Sequence, residues 1–149
     1  MLRITRQTDY AVRVVLALAQ KPMGTRLSTK EIGRKMLVPR NFLPRIVAKL
    51  AQNQIIFTFA GRDGGLELAR PPAEITLRDI VEAFEGPLMI SECIPGDNYC
   101  PFEGPCKVRP RWIRLQDVIL KELSATNFAD LVKEVDIDPT LISIHNFSN

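Results

Sequence analysis

The stretch of this 149-residue sequence with the most potential chemistry is ECIPGDNYCPFEGPC at 92–106. It holds all three cysteines of the chain, Cys93, Cys100 and Cys106, among prolines and glycines. The spacing lacks the closely spaced cysteine pair that structural zinc sites use. Long spacings rich in proline and glycine suit a loop that wraps an iron–sulfur cluster, because one loop can then offer several thiolates to the cluster. Three buried apolar cysteines, or a disulfide switch, are the alternatives.

Composition and charge predict a cytoplasmic domain that meets a polyanion with its first half. Apolar residues make up 46% and charged residues 25% of the chain, as in ordinary globular proteins. We see no secretory leader, and the longest apolar run, at 14–19, is too short to span a membrane. Residues 1–70 hold 13 Lys and Arg against 4 Asp and Glu, whereas residues 71–149 hold 7 against 13. This asymmetry favours nucleic-acid binding by the first half, and chance with solvated faces is the alternative.

The elements that must position these residues begin with three helices and a hairpin. Apolar spacing predicts a helix starting at TDYAV, a second helix capped by Ser28 with Glu31 in a capping box, and a third over RNFLPRIVAKLAQNQ. The third helix is predicted to start near Arg40 or Asn41, with Asn41 as a possible cap and Val47 in its buried stripe. Strands at 55–59 and 66–68, joined by a glycine-rich turn, predict the hairpin.

The whole pattern predicts a mostly α fold with a small β-hairpin. We expect a winged helix-turn-helix over 1–72, a connecting helix in 73–90, a cysteine loop over 91–107, dimerisation helices over 108–135 and a flexible tail over 136–149. The helix after the loop carries an apolar stripe at near-heptad spacing, as a partner-facing helix of a homodimer would. The stripe consists of Val108, Trp112, Leu115, Ile119 and Leu123.

Six polar side chains in the first half are candidates for contacting DNA. Arg and Asn at the start of the third helix are of the right type to read base edges, since Arg pairs with guanine and Asn with adenine. A lysine further along the helix would meet phosphate, a serine cap would present helix amides to phosphate, and an arginine at the wing tip would enter the minor groove. The alternative for each one is a solvated surface side chain. These residues are Arg40, Asn41, Arg45, Lys49, Ser28 and Arg62.

Three segments together resemble a known family. They are RITRQTDYAV at the start, GRDGGLELARPPAEITLRDIVEAFEGP after the first strand, and SEC…CPFEGPC in the loop. In this order they resemble the winged-helix iron–sulfur regulators typified by IscR, NsrR and RirA, over about residues 1–134. The resemblance implies a homodimeric DNA-binding regulator whose cluster senses nitric oxide, oxygen, iron supply or cluster supply. Cys93, Cys100 and Cys106 match the family's three ligand positions.

The same resemblance bears on the fourth ligand. IscR-like members have a histidine three residues after the last cysteine, where this chain has Arg109, which cannot ligate iron. NsrR-like members use an aspartate of the partner subunit, early in its first helix, and Asp9 stands at the matching place. Asp9 as a ligand implies a 4Fe-4S cluster bridging two chains, with 2Fe-2S as the other option; a plain acid at a helix start is the alternative. Ala60 and Pro44 depart from the family's DNA-contacting residues, so its operator sequence cannot be carried over.

The sequence thus predicts a cytoplasmic homodimer, a repressor whose affinity for a double-stranded operator depends on an iron–sulfur cluster attacked by nitric oxide or oxygen. We find no catalytic Ser/His/Asp set, phosphate loop or HExxH motif, so no enzyme is expected. One alternative is a clusterless regulator of the same fold that works by thiol oxidation or through a protein partner. The other is a scaffold that carries a cluster without binding DNA.

Overall fold

The computed structural model of the protein describes residues 4–94, 100 and 105–134. The predicted tail at 136–149 and most of the loop interior lie outside these residues. The described chain forms six α-helices, a single 3-10 turn at Pro72–Glu74 and a two-stranded antiparallel sheet, which confirms the predicted fold class. In chain order the elements are α1 (Arg6–Ala19), α2 (Thr29–Lys35), α3 (Leu43–Gln52), β1 (Ile56–Phe59), β2 (Gly65–Leu68), α4 (Leu77–Glu85), α5 (Arg109–Ala125) and α6 (Phe128–Lys133). None of the described helices is both long enough and apolar enough to cross a membrane.

Of the two predicted helix caps, Ser28 starts α2 as expected, whereas Asn41 does not start α3. Ser28 accepts a hydrogen bond from the N–H of Glu31 at 3.1 Å, and Thr76 forms a capping box with Asp79. The expectation that Asn41 caps α3 is wrong, because α3 begins two residues later with no side-chain cap. The N–H of Phe42 donates instead to the carbonyl of Pro39 at 3.0 Å, so residues 39–42 form their own turn before the helix.

The hydrophobic core gathers around α1, which contacts α2, α3, α4, α6 and β2. Val14, Val15 and Ala17 of α1 are fully buried, and Ile46 and Leu50 of α3 pack into the same cluster. Apolar residues at i, i+3 and i+4 lie on one side of a helix, so this burial fixes which face of α3 is left for other contacts. The core therefore sets the orientation of the third helix.

The hairpin is the predicted wing, and its glycines are sterically required. Phe57 pairs with Glu67 and Phe59 with Gly65, and the backbone of Leu27 bridges to Leu66 alongside. A Cβ on Gly64 would lie 2.3 Å from the carbonyl oxygen of Phe59, closer than any real contact. Gly65 has φ of +147° and is equally intolerant of a side chain. The wing is therefore a tight turn held against the segment before α2.

Candidate nucleic-acid interface and cysteine loop

Two adjoining surface pockets that share lining residues, together called the groove, extend from the start of α2 along α3 to the wing. Its first section, of about 460 Å³, is lined by Thr29, Lys30, Arg40, Leu43, Pro44 and Val47. The second section is bordered by Thr29 and Val47 as well, and continues to Ser28, Arg62 and the wing glycines. No acidic residue is among the described residues that line either section. The charged residues among this described lining, Lys30, Arg40 and Arg62, are thus all cations, as on a surface that meets phosphates.

Three of the six predicted DNA-contacting residues line this groove. Ser28 lies at the N-terminus of α2, while Arg40 and Arg62 are exposed on opposite sides, before α3 and on the wing. Asn41 is exposed in the turn that precedes α3, and Arg45 is exposed on α3 itself, but neither lines the groove. The structure thus brings Ser28, Arg40 and Arg62 to one surface and leaves Asn41 and Arg45 beside it.

Lys49 was expected to contact phosphate, but its ammonium group contacts the end of α4. Its ammonium group donates to the carbonyl oxygen of Phe84 at 3.2 Å and lies 5.2 Å from the centre of the Phe84 ring. The side chain is half-buried against the end of α4, because Lys49 lies on the flank of α3 that meets that helix. This geometry assigns Lys49 to the contact between α3 and α4.

The structure adds groove residues that the sequence interpretation did not single out. Thr29 and Lys30 directly follow the Ser28 cap, and this closeness in sequence to a predicted phosphate contact could have indicated them. Val47 was expected in the buried stripe of α3, but it is only half-buried and lines both sections of the groove. Its position at the edge of an apolar stripe explains the difference, since edge positions are shared between core and surface.

The three cysteines are free thiols, each half-buried. The Cys93 sulfur lies 3.0 Å from the hydroxyl oxygen of Ser91, and the N–H of Arg109 donates to the Cys106 sulfur at 3.3 Å. The backbone N–H groups of Arg109 and Val108, at the start of α5, lower the pKa of the Cys106 thiol below its usual value. A partly exposed thiol of this kind is well suited to react or to bind iron as the thiolate.

Arg109 lies at the base of the cysteine loop. Its guanidinium donates to the carbonyl oxygen of Ile94 at 3.4 Å, while its own N–H contacts Cys106. A residue that starts α5 therefore contacts both ends of the loop. Sequence reasoning treated Arg109 only as a residue that cannot ligate iron, and nothing in the spacing indicated this bridge.

The donor set fits an iron–sulfur cluster by its chemistry. Three thiols on one loop are the ligands such clusters use, and none is held in a disulfide. Within the described residues, no three His, Cys, Asp or Glu side chains converge as a metal site would require. Asp9 lies on exposed α1 surface and pairs with Arg13 at 2.8 Å, so its role as a ligand to a second chain remains a prediction.

The end of α4 connects the loop to the helices of the first half. One carboxylate oxygen of Glu85 accepts hydrogen bonds from the N–H of Thr5 at 3.0 Å, from the Thr5 hydroxyl at 2.7 Å and from the hydroxyl of the fully buried Thr8. Burial alone would raise the pKa of Glu85, but these bonds and the charge of Lys49 lower it below its usual value. Phe84 and Glu85 thus hold α3 and α1, two residues before Pro87 leads toward the loop.

Helix α5 leaves several large apolar side chains exposed. None of its 17 residues is buried. Trp112, Ile113, Leu115 and Val118 are each at least 42% exposed. Helix α5 contacts α4 within the chain, but exposed apolar side chains grouped in this way normally pack against a further surface.

Comparison with known proteins agrees with these features. Residues 4–134 match the profile of a family described as "Rrf2: Iron-dependent Transcriptional regulator". Over 134 residues the chain is 34% identical to Protein aau3 of Rhizobium meliloti (strain 1021), covering 89% of this chain and 86% of that protein. A Mycobacterium tuberculosis protein named as an HTH-type transcriptional regulator (MT1325) is 31% identical over 131 residues, covering 87% of this chain and 81% of its own length.

Two solved structures have a fold similar to that of this chain. CymR, named as the global cysteine regulator of B. subtilis, superposes with a TM-score of 0.77 at 27% identity, covering 91% of this chain and all of CymR. IscR of T. potens shares the fold, with a TM-score of 0.69 at 23% identity over 89% of this chain and 87% of its own. The expectation of a regulator rather than an enzyme is confirmed by this family. The chain has a DNA-binding regulator fold and belongs to the Rrf2 family of transcriptional regulators.

Proposed function

We propose that the protein is a cytoplasmic homodimeric repressor whose affinity for a double-stranded DNA operator is controlled by an iron–sulfur cluster. Cys93, Cys100 and Cys106 would hold the cluster, and Asp9 of the partner subunit would be its fourth ligand. The observation that carries the proposal is the set of three free, half-buried thiols on the one loop that joins α4 to α5. The family's description as iron-dependent supports the same chemistry.

DNA is held by the basic groove. Arg40 and Arg62 line it, and we expect Arg40 to read a base edge and Arg62 to enter the minor groove. Ser28 and the amides that follow it lie within the groove and suit a phosphate. Asn41 and Arg45, exposed beside the groove, extend the contact along the same helix.

The loop acts on DNA binding through the end of α4. Lys49 of α3 bonds to Phe84, while Thr8 of α1 and its capping residue Thr5 bond to Glu85, so a shift of α4 changes the positions of both helices. When bound, the cluster supplies a redox-active centre, 4Fe-4S or 2Fe-2S, that nitric oxide or oxygen can attack. The carboxylate of Asp9 is a weaker ligand for such iron than thiolate is, and it would leave one corner open to reaction.

Helix α5 forms the interface with the second subunit of the proposed dimer. Its exposed apolar face fits another copy of itself across a two-fold axis, since most soluble homo-oligomers are two-fold dimers. A dimer places two reading helices about 34 Å apart, one turn of DNA. Rotation of one protomer against the other then changes that spacing, which is how a local event at the loop becomes a change in operator affinity.

The decisive experiment is anaerobic purification followed by an absorption spectrum and counts of iron and sulfide. We expect a coloured protein, and we expect Cys93→Ala, Cys100→Ala and Cys106→Ala each to lose its colour and iron. Ser91→Ala, whose hydroxyl lies beside the Cys93 sulfur, is the matched control and retains both. A cysteine variant with full iron content removes that residue from the ligand set.

A clusterless regulator that responds by thiol oxidation is the second candidate. It is favoured by the likeness to CymR, named as a cysteine regulator, and by the partial exposure of all three thiols. A colourless protein that still binds a specific DNA sequence, with an affinity that changes on mild oxidation, would support this candidate over the first. A coloured protein without DNA affinity would support the scaffold alternative.

A further inference from the structure

We infer that Val47, with Pro44 beside it, is a specificity-determining contact that reads thymine C5-methyl groups in the major groove. The inference rests on the proposed DNA binding and adds the kind of base that the groove selects. Val47 is half-buried and is, with Thr29, one of the two residues shared by both sections of the groove. Whatever the groove accepts must therefore pass over this side chain.

The α3 side of the groove offers carbon rather than hydrogen-bonding side chains. On the α3 side the lining residues are Leu43, Pro44 and Val47, and the cations Lys30, Arg40 and Arg62 stand on other segments. The polar residues of α3 do not reach this part, because Lys49 is bonded to Phe84 and Arg45 does not line the groove. The middle of the reading helix thus presents an apolar surface framed by positive charge.

This combination fits one feature of double-stranded DNA. Thymine is the one base whose major-groove edge carries a methyl group, and apolar side chains contact it. The cations around the groove match the phosphates on both sides of the bases. Pro44 has no backbone N–H to donate, so its ring also offers only apolar surface to a base edge. The operator should accordingly hold thymine where α3 crosses it.

The test begins with a selection of random-sequence duplex DNA by the full-length protein, in its cluster-loaded and apo forms. Each thymine of the selected sequence is then replaced with uracil, which removes only the methyl group. We expect uracil at one or more positions to weaken binding about three- to fivefold, the effect of exposing one buried methyl group. Val47→Ala should show a smaller preference for thymine over uracil than wild type, since Pro44 still lines the groove.

The matched control is Val132→Ala, a change of an exposed valine on α6 far from the groove lining, which should keep the wild-type preference for thymine. Thermal unfolding shows whether each variant is folded. The salt dependence of binding should be the same for Val47→Ala and wild type, because phosphate contacts are unchanged. A Val47→Ala protein that distinguishes thymine from uracil as strongly as wild type overturns the inference, as does a selected sequence on which uracil has no effect. Failure to select any sequence overturns both the inference and the proposed DNA binding.

Discussion

Replacing Glu85 with Gln removes a charge at the end of α4 while keeping the shape of the side chain. In the wild type, one carboxylate oxygen accepts bonds from the N–H and hydroxyl of Thr5 and from the hydroxyl of Thr8. A hydrogen bond to a charged group contributes about 1.5–3 kcal/mol, against about 0.5–1.5 kcal/mol for a neutral pair. Each bond therefore loses about 1–1.5 kcal/mol before screening by solvent is considered. Because three bonds share one oxygen and Glu85 is exposed to solvent, we expect a total loss of about 1–1.5 kcal/mol.

The loss should depend on pH in a definite direction. The pKa of Glu85 is below its usual value of 4.5 in the folded protein, so the carboxylate form is favoured by folding. The stabilisation is fully present above the unfolded pKa and disappears as pH falls through the folded pKa. Glu85→Gln should therefore be less stable than wild type at about pH 7, and this difference should be smaller at an acid pH below 4.5.

Urea unfolding of the apo protein at both pH values measures this difference, with the protein concentration held constant. The matched control is Glu82→Gln on the same helix, which loses only an exposed ion pair with Arg78 and should change stability by less than about 0.5 kcal/mol. Equal destabilisation of Glu85→Gln at neutral and acid pH would refute the role of the charge. No destabilisation at neutral pH would refute the contact between Glu85 and the start of α1.

The other predictions concern DNA, the partner chain and the turn before α3. Arg45→Ala should weaken operator binding by about 1–3 kcal/mol in a DNA-shift assay if Arg45 reads a base, whereas Lys49→Ala should act mainly on stability; the reverse order would show that Lys49 reaches DNA. Asp9→Ala should still bind a cluster but alter its spectrum and its decay in nitric oxide, and wild-type values would make Asp9 only a helix-start acid. Trp112→Glu should convert the dimer to monomer in analytical ultracentrifugation, and an unchanged mass would remove α5 from the interface. Leu37→Asn should raise the free energy of unfolding by about 0.5–1 kcal/mol in urea, because the 78% exposed Leu37 adopts φ of +54°, and a loss of stability would show a packing role.

The parts of the fold that depend on neighbouring residues were predictable from the sequence. Ser28, Thr76 and Gly86 act within a few residues of themselves, so the ends of α2 and α4 could be predicted from residue type. Glycines at the wing tip predicted the hairpin because a turn also depends only on residues next to one another in sequence. The start of α3 was misplaced because residues 39–42 form a turn that competes with a side-chain cap at Asn41.

The contacts that the sequence could not predict join distant parts of the chain. Thr8 and Glu85 are 77 residues apart, and Lys49 and Phe84 are 35 apart, so no local pattern links them. Lys49 and Arg45 are both charged residues on one helix, and only the position of α4 separates their environments. The same holds for Val47, whose exposure depends on how α2 and the wing pack around α3. The cysteine loop was recognisable by its residue types, but residues 95–99 and 101–104 lie outside the described chain.

The junction at Phe84 and Glu85 has a thermodynamic consequence for the proposed regulator. A contact that lets the loop alter DNA affinity must let DNA alter the loop, because coupling between two binding sites is reciprocal. A tenfold gain in operator affinity on cluster binding therefore implies a tenfold gain in cluster retention on the operator, or about 1.4 kcal/mol in each direction. Operator-bound protein would then lose its cluster more slowly than free protein. The number of operators in the cell would itself set part of the sensitivity to the signal.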